Sequence, residues 1–186
     1  MHTLSDERTN ITYYSDVRLA DRYRVGEVDG GWDVLAYALE LEHGGTYPKH
    51  HRDLLDRAVE WARKPGSGGQ CPLDDPRVRE RLGRCAAHFE TARVLARQSL
   101  WAAAEKRPNR GEGPMSKLFQ TEILVEDAQD LLDLAAPESL VREEEGEGSF
   151  EFYYRLSPAP AIYAGTSEIM RSIIAQRALG MPRSRS

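Results

Sequence analysis

Apolar residues recur along most of this chain at helical spacing. From about Trp32 the set Val34, Leu35, Ala38, Leu39 and Leu41 predicts a helix that breaks or kinks near Gly44, Gly45 and Pro48. A second stretch, His51 to Lys64, carries Leu54, Leu55, Ala58, Val59 and Trp61. The strongest pattern opens at Asp75-Pro76, with Asp75 as N-cap and Pro76 in the first helical position. Its apolar positions run Val78, Leu82, Cys85, Phe89, Ala92, Ala96, Leu100 and Ala103, one long stripe directed into a bundle. Pro108 to Gly113 ends it. A further helix is predicted from about Ser116 to Ala135, with Leu118, Thr121, Leu124 or Val125, Ala128, Leu131 and Leu132 inward.

Two segments depart from this period. Asn10 to Leu19 alternates loosely, with Ile11, Thr12, Tyr13 and Tyr14 leading to Val17 and Leu19, and reads as one short strand. A lone strand has no ladder of its own, so it must pair with something else or lie on the bundle as an arm. Phe150 to Tyr154 fits either helix or strand. Between elements, Gly26 to Gly31 reads as a turn, Pro65 to Pro72 as the clearest loop, and Glu143 to Gly148 as a solvated acidic loop. The expected fold is all-α, an antiparallel four- to five-helix up-down bundle with one short N-terminal strand. Residues 1–29 form the strand or arm and residues 30–186 the bundle.

The last helix is the most specific. Gly165-Thr166 reads as a turn feeding a helix from Ser167, with Thr166 as N-cap. Met170, Ile173, Ile174 and Ala178 share one face, and Gly180 and Pro182 stop the helix. A helix start offers free backbone N–H groups and partial positive charge, which suit an anionic or electron-rich ligand.

Composition narrows the function classes. At 186 residues the chain can build one substantial core. A net charge of −5 argues against nucleic acid as the main partner. No apolar run approaches a membrane span, and the first residues lack a basic-then-apolar leader pattern, so a cytoplasmic location is expected. The two cysteines give no disulfide framework, and Cys85 on an apolar helix face is expected as a buried thiol. No Cys/His ligand spacing for zinc is evident, so no metal is expected. His50-His51 reads as a solvated helix start, and Trp32 as a core anchor.

The residues Tyr163-x-Gly165-Thr166-Ser167-Glu168-Ile169-x-Arg171, followed by Ile173-Ile174-Ala175 and Leu179-Gly180-x-Pro182-Arg183, resemble the C-terminal end of the acyl-CoA dehydrogenase family. Val17-Arg18-Leu19, Val25-Gly26-Glu27, Gly31-Trp32 and Leu39 to Gly45 are similar to the family's junction between the last strand of its middle β-domain and its C-terminal helical domain. Ser116-Lys117-Leu118 with Thr121-Glu122 is similar to a later helix of that domain. The likeness spans essentially the whole chain and leaves the family's N-terminal helical domain and most of its β-domain outside it.

The resemblance implies an FAD-dependent α,β-dehydrogenation of an acyl-CoA substrate, carried out with domains absent from this chain. It also implies a homo- or hetero-oligomer with another acyl-CoA dehydrogenase-like chain. Thr166, Ser167 and Glu168 are the implied cofactor contacts. Arg171 is either a solvated surface residue or a subunit contact.

Three departures cut into that expectation. The family's usual base, a Glu just before Gly-Thr, is Ala164 here, and a methyl group accepts no proton. An Arg-x-x-Phe-Gly motif is replaced by Trp61-Ala62-Arg63-Lys64-Pro65-Gly66. A Gly-Gly-x-Gly loop is replaced by Leu134-Ala135-Ala136-Pro137-Glu138-Ser139, which keeps the backbone farther from a pyrophosphate. Some members carry their base on the first helix of this domain, where Glu42 stands in this chain. Glu42 is therefore the candidate alternative base, provided that a dry pocket raises its pKa. The competing expectation is a non-catalytic assembly module that pairs with a catalytic family member.

Overall fold

The computed structural model describes residues 2–45, 48–66, 68–107, 111–142 and 149–183. Six α-helices follow one another: α1 Gly31–Gly45, α2 Lys49–Arg63, α3 Pro76–Ala104, α4 Glu112–Leu134, α5 Phe150–Leu156 and α6 Ser167–Arg177. Helix α4 is the axis, packing against α1, α2, α3, α5 and α6. The core forms where Leu54, Ala58 and Ala62 of α2 meet Val78, Leu82 and Cys85 of α3, Leu124, Ala128 and Leu131 of α4, and Phe150, Tyr153 and Leu156 of α5. Trp61 closes one end, edge-on to Phe150 at 6.1 Å between ring centroids.

The helix starts follow local chemistry. The Asp75 carboxylate accepts a hydrogen bond from the Arg77 N–H at 2.8 Å, with Pro76 in the first position. Ser149 caps α5 by accepting from the Phe152 N–H, which settles Phe150 to Tyr154 as helix. Helix α4 begins at Glu112, four residues ahead of the predicted start. Gly111, at φ 98°, makes the left-handed turn into it, and Pro114 falls in the first turn, where its missing N–H leaves no gap. The acidic loop 143–148 and residues 108–110 lie outside the described residues.

The buried stripe of α3 matches the predicted positions from Val78 to Ala96, then continues through Ser99 and Ala102. Leu100 and Ala103, expected inward, are exposed. A 3.6-residue helical period carries the face from Ala96 to Ser99 when a small hydroxyl fits the contact.

Residues 2–29, expected from the sequence as a strand or arm, hold no α-helix and only a 3-10 turn at Asp21–Tyr23. No strand is present among the described residues, because the segment 10–19 has no partner to complete a ladder. Ile11, Tyr13, Tyr14, Val17 and Leu19 are all exposed. The arm is pinned at its start, where the Arg155 guanidinium of α5 donates to the Leu4 carbonyl at 2.7 Å and to the Asp6 carboxylate at 3.1 Å. It turns into α1 at Gly26, φ 81°, where a Cβ would stand 2.8 Å from Val34 Cγ2. Trp32 is 74% exposed and anchors no core. The face of α1 that carries Trp32 and Leu35 points away from α3 and α4, so its hydrophobic period marks a face that this chain leaves uncovered. No helix among the described residues is long and apolar enough to cross a membrane.

Candidate functional site

Helix α6 starts from a strained corner. Ala164 and Gly165 both take positive φ, 52° and 97°, so the chain reverses before Thr166. Thr166 Oγ1 accepts from the Ile169 N–H at 3.4 Å, the N-cap expected from its position. The Ser167 N–H donates to the Ala161 carbonyl at 3.2 Å, closing the turn from behind. Lys117, buried on α4, donates its ammonium to the Gly165 carbonyl. Burial holds Lys117 below the ordinary lysine pKa. Ser116, Gln120 and Thr121 line the same buried strip, Gln120 Nε2 donating to Ser116 Oγ at 2.7 Å.

Two further contacts fix α6 on α4. Gly111 lies under its far end, where a Cβ would meet Ala178 Cβ at 3.5 Å. Arg171 Nη2 donates to both oxygens of the Glu122 carboxylate, at 2.6 and 2.8 Å, so its guanidinium clamps two helices of this chain. Met170 is fully buried between them.

Of the residues the sequence singled out, Ala164, Thr166, Ser167 and Glu168 come together at this corner. Ser167 is buried; Glu168 is exposed, and the Thr166 hydroxyl bonded to its carboxylate lowers its pKa. Glu42 is exposed on α1. Among the described residues α1 and α6 each pack on α4 but not on each other, so the fold does not gather Glu42 into the α6 corner.

The loops expected to approach a pyrophosphate are closed by side chains. After α4, Ala135 is buried and Ser139 Oγ donates to the Leu132 carbonyl at 2.6 Å. After α2, the Cys71 thiol donates to the Arg63 carbonyl at 3.3 Å. The segment after α4 carries no glycine, and the loop after α2 has open glycines at Gly68 and Gly69 but not the family's Arg-x-x-Phe-Gly order.

A second polar cluster escaped the sequence reading. His51, expected at a solvated helix start, is 1% exposed in the first turn of α2. The Leu54, Ala58 and Ala62 face turns inward, and His51, one turn before Leu54, turns with it. The ring's Nε2 lies 2.8 Å from Asp127 Oδ2 of α4, itself 1% exposed. His88 Nδ1 of α3 sits 3.0 and 3.1 Å from the two oxygens of the same carboxylate. Cys85 Sγ is 3.6 Å from His51 Nε2, and this thiol is buried as expected.

Burial works to raise the Asp127 pKa, but the hydrogen bonds and charge of the two imidazoles overcome it and hold the carboxylate below its ordinary value. Burial, then the Asp127 charge, pushes the Cys85 thiol well up. His51 Nδ1 has no hydrogen-bond partner among the described residues. The missed signal was periodic. Asp127 falls on the α4 stripe between Leu124 and Leu131, a charged residue at a core position, and His88 stands three residues after Cys85 at the half-buried edge of the α3 stripe.

Residues 29–179 match the family described as acyl-CoA dehydrogenase, C-terminal domain. The chain is 30% identical to the acyl-CoA dehydrogenase IpdE1 of Mycolicibacterium smegmatis over 96% of its own length and 44% of that protein. It is 28% identical to the acyl-CoA dehydrogenase FadE26 of Mycobacterium tuberculosis over 99% of its length and 48% of that protein. Among solved structures, the ChsE4-ChsE5 complex from Mycobacterium tuberculosis superposes with a TM-score of 0.82 at 28% identity, over 98% of this chain and 49% of the other. The Tcur3481-Tcur3483 steroid ACAD does so with a TM-score of 0.84 at 27% identity, over 99% of this chain and 48% of the other. The chain thus spans about half the length of the curated relatives it matches.

Proposed function

The chain belongs to the acyl-CoA dehydrogenase family through its C-terminal helical domain, and from that premise we propose that it supplies this half of an FAD-dependent acyl-CoA dehydrogenase. The rest of the family fold, whether in the same polypeptide or another, completes the site, and the arm 1–29 is where the bundle joins a β-domain. The reaction is α,β-dehydrogenation of an acyl-CoA thioester: a base removes the α-proton, and FAD, the cofactor on which family members depend, accepts the β-hydride.

One observation carries this reading. The corner at Ala164-Gly165-Thr166 keeps its left-handed turn, its cap and its Lys117 anchor. This chain's residues fit a flavin at that corner only, through Thr166, Ser167 and Glu168 at the start of α6. The loop after α4 lacks glycine and the one after α2 lacks the Arg-x-x-Phe-Gly motif, so in this reading the pyrophosphate contacts fall to other parts of the assembly. Glu42 takes the α-proton in this reading, from a face of α1 that the completing domains cover.

The three coordinated departures, Ala164 and the two loops without their motifs, favour a second reading, a non-catalytic partner in a hetero-oligomer. The neighbouring structures described as ChsE4-ChsE5 and Tcur3481-Tcur3483 carry two chain names each, which supports a two-chain assembly in either reading. The assembly is expected in the cytoplasm.

The test is to purify the chain with a dehydrogenase-like partner chain and record the visible spectrum. A flavin band in the mixture, bleached by acyl-CoA and lost with Glu42→Gln, upholds the first reading. Bleaching that Glu42→Gln leaves unchanged, with the complex intact, assigns the chain to assembly. A colourless mixture with no co-elution overturns both.

A further inference from the structure

The cluster in the core has no part in the dehydrogenase reading, yet it gathers four metal-binding side chains from three helices. His51 comes from α2, Cys85 and His88 from one face of α3, and Asp127 from α4. Donor atoms of His51, Cys85 and Asp127 all lie within 4.8 Å of one another, and all three residues are buried. His88, 22% exposed at its side chain, completes the set against the opposite oxygen of Asp127. No spacing rule finds this site, because the cysteine and its third neighbour supply only half of it. The other two ligands arrive through the fold.

We propose that His51, Cys85, His88 and Asp127 bind one divalent transition-metal ion of the zinc type, as a closed structural site in the bundle core. Two imidazole nitrogens, one sulfur and one carboxylate oxygen make a four-ligand set that suits zinc or cobalt. Facing helices of a bundle are a known place to build such a site.

Distances agree. Zinc–ligand bonds of about 2.0–2.3 Å in a tetrahedron put the donors roughly 3.3–3.8 Å apart. The Cys85–His51 separation of 3.6 Å already lies in that range. The His51–Asp127 and His88–Asp127 contacts of 2.8 and 3.0 Å are hydrogen-bond lengths, which open by roughly half an ångström when an ion takes the place of the shared protons. Charge agrees too, since a dication balances one thiolate and one carboxylate and leaves the buried site neutral. Coordination forms the metal–sulfur bond and releases the thiol proton to water, while the ring protons shared with Asp127 move to the other nitrogen of each imidazole, Nδ1 of His51 and Nε2 of His88.

The experiment uses the full chain. After treatment with chelator, Co2+ is titrated in and followed by absorption, then displaced with Zn2+. The expected result is one equivalent of Co2+, with intense tetrahedral visible bands and a thiolate-to-cobalt charge-transfer band, all bleached by Zn2+. Zinc at 100 times its Kd raises Tm by roughly 5–10 °C. Cys85→Ser loses the charge-transfer band, whereas Cys71→Ser keeps it. His88→Asn, at the most exposed ligand, weakens binding in a folded chain and separates ligation from folding. A chain that gives only weak octahedral cobalt bands and no shift in Tm overturns the site. So does a charge-transfer band that survives Cys85→Ser.

Discussion

Helix α4 carries two buried charged side chains, Lys117 and Asp127, and they do different work. Near its start, Lys117 reaches a backbone carbonyl, Gly165, and so holds the shape of a turn. Nearer its middle, Asp127 meets only side chains, His51 and His88, brought in by two other helices. The corner at α6 is local structure steadied by one distant anchor. The core cluster exists only when α2, α3 and α4 have packed. The first can loosen without unfolding the bundle; the second cannot. The corner therefore has the character of a ligand-facing element, and the cluster that of a structural centre.

The sharpest way to break this contrast is Asp127→Ala in metal-free protein. It strands two imidazoles in the core, and breaking a buried charged pair of this kind costs about 3–5 kcal/mol. The midpoint of urea unfolding should fall with the slope unchanged. A loss below about 1 kcal/mol, within the range of an exposed pair, would show that the cluster is not integral to the core.

Lys117→Met tests the other side. Removing the donor leaves the Gly165 carbonyl unpaired, for about 1–3 kcal/mol. Amide exchange should quicken first in residues 164–170, ahead of the α3 and α4 core. The variant also has a pH signature. Burial lowers the folded-state pKa of Lys117, so the folded chain gives up that proton before the unfolded chain does. Stability of the natural protein should therefore rise, relative to Lys117→Met, as pH climbs from the folded pKa toward the unfolded value near 10.4. A difference that stays flat or falls over that range contradicts the burial.

The same contrast explains what the sequence could and could not reveal. The corner is legible because its signals are neighbours: Thr166 caps α6 through the Ile169 N–H three residues on, and Gly165 sits beside it. The α3 stripe from Val78 to Ala96 and the inward face of α4 were legible for the same reason, since each is a period within one helix. His51 was read as solvated because its neighbours are Lys49, His50 and Arg52, and only the packed α2 face turns it inward. The Lys117 anchor joins residues 48 apart in the chain, beyond the reach of any local pattern. Trp32 and the 10–19 segment erred the other way. Their apolar periods are real, but burial and strand pairing need a covering surface or a partner that is absent here.

A smaller effect separates cap from clamp at the corner. Thr166→Ala removes the N-cap acceptor, typically worth about 1 kcal/mol. The long 3.4 Å contact places it at or below that figure. Thr166→Ser should restore most of it, measured by thermal unfolding. If Ser fails to rescue, the threonine methyl rather than its hydroxyl is what the turn requires.

The weakest contact asks whether the family-like Arg171 holds the corner by charge. Its guanidinium and the Glu122 carboxylate are 55% and 40% exposed, so water competes for both. Exposed pairs contribute about 0–1 kcal/mol, and a single nitrogen shared between both oxygens lacks the parallel fork that would strengthen the pair. A double-mutant cycle of Arg171→Ala and Glu122→Ala should give a coupling below about 1 kcal/mol that shrinks as salt is added. A coupling that stays large at high salt would mean that the pair is shielded in solution by a surface absent from the isolated chain. The corner would then be an interior element of an assembly, with Arg171 inside the contact instead of at its rim.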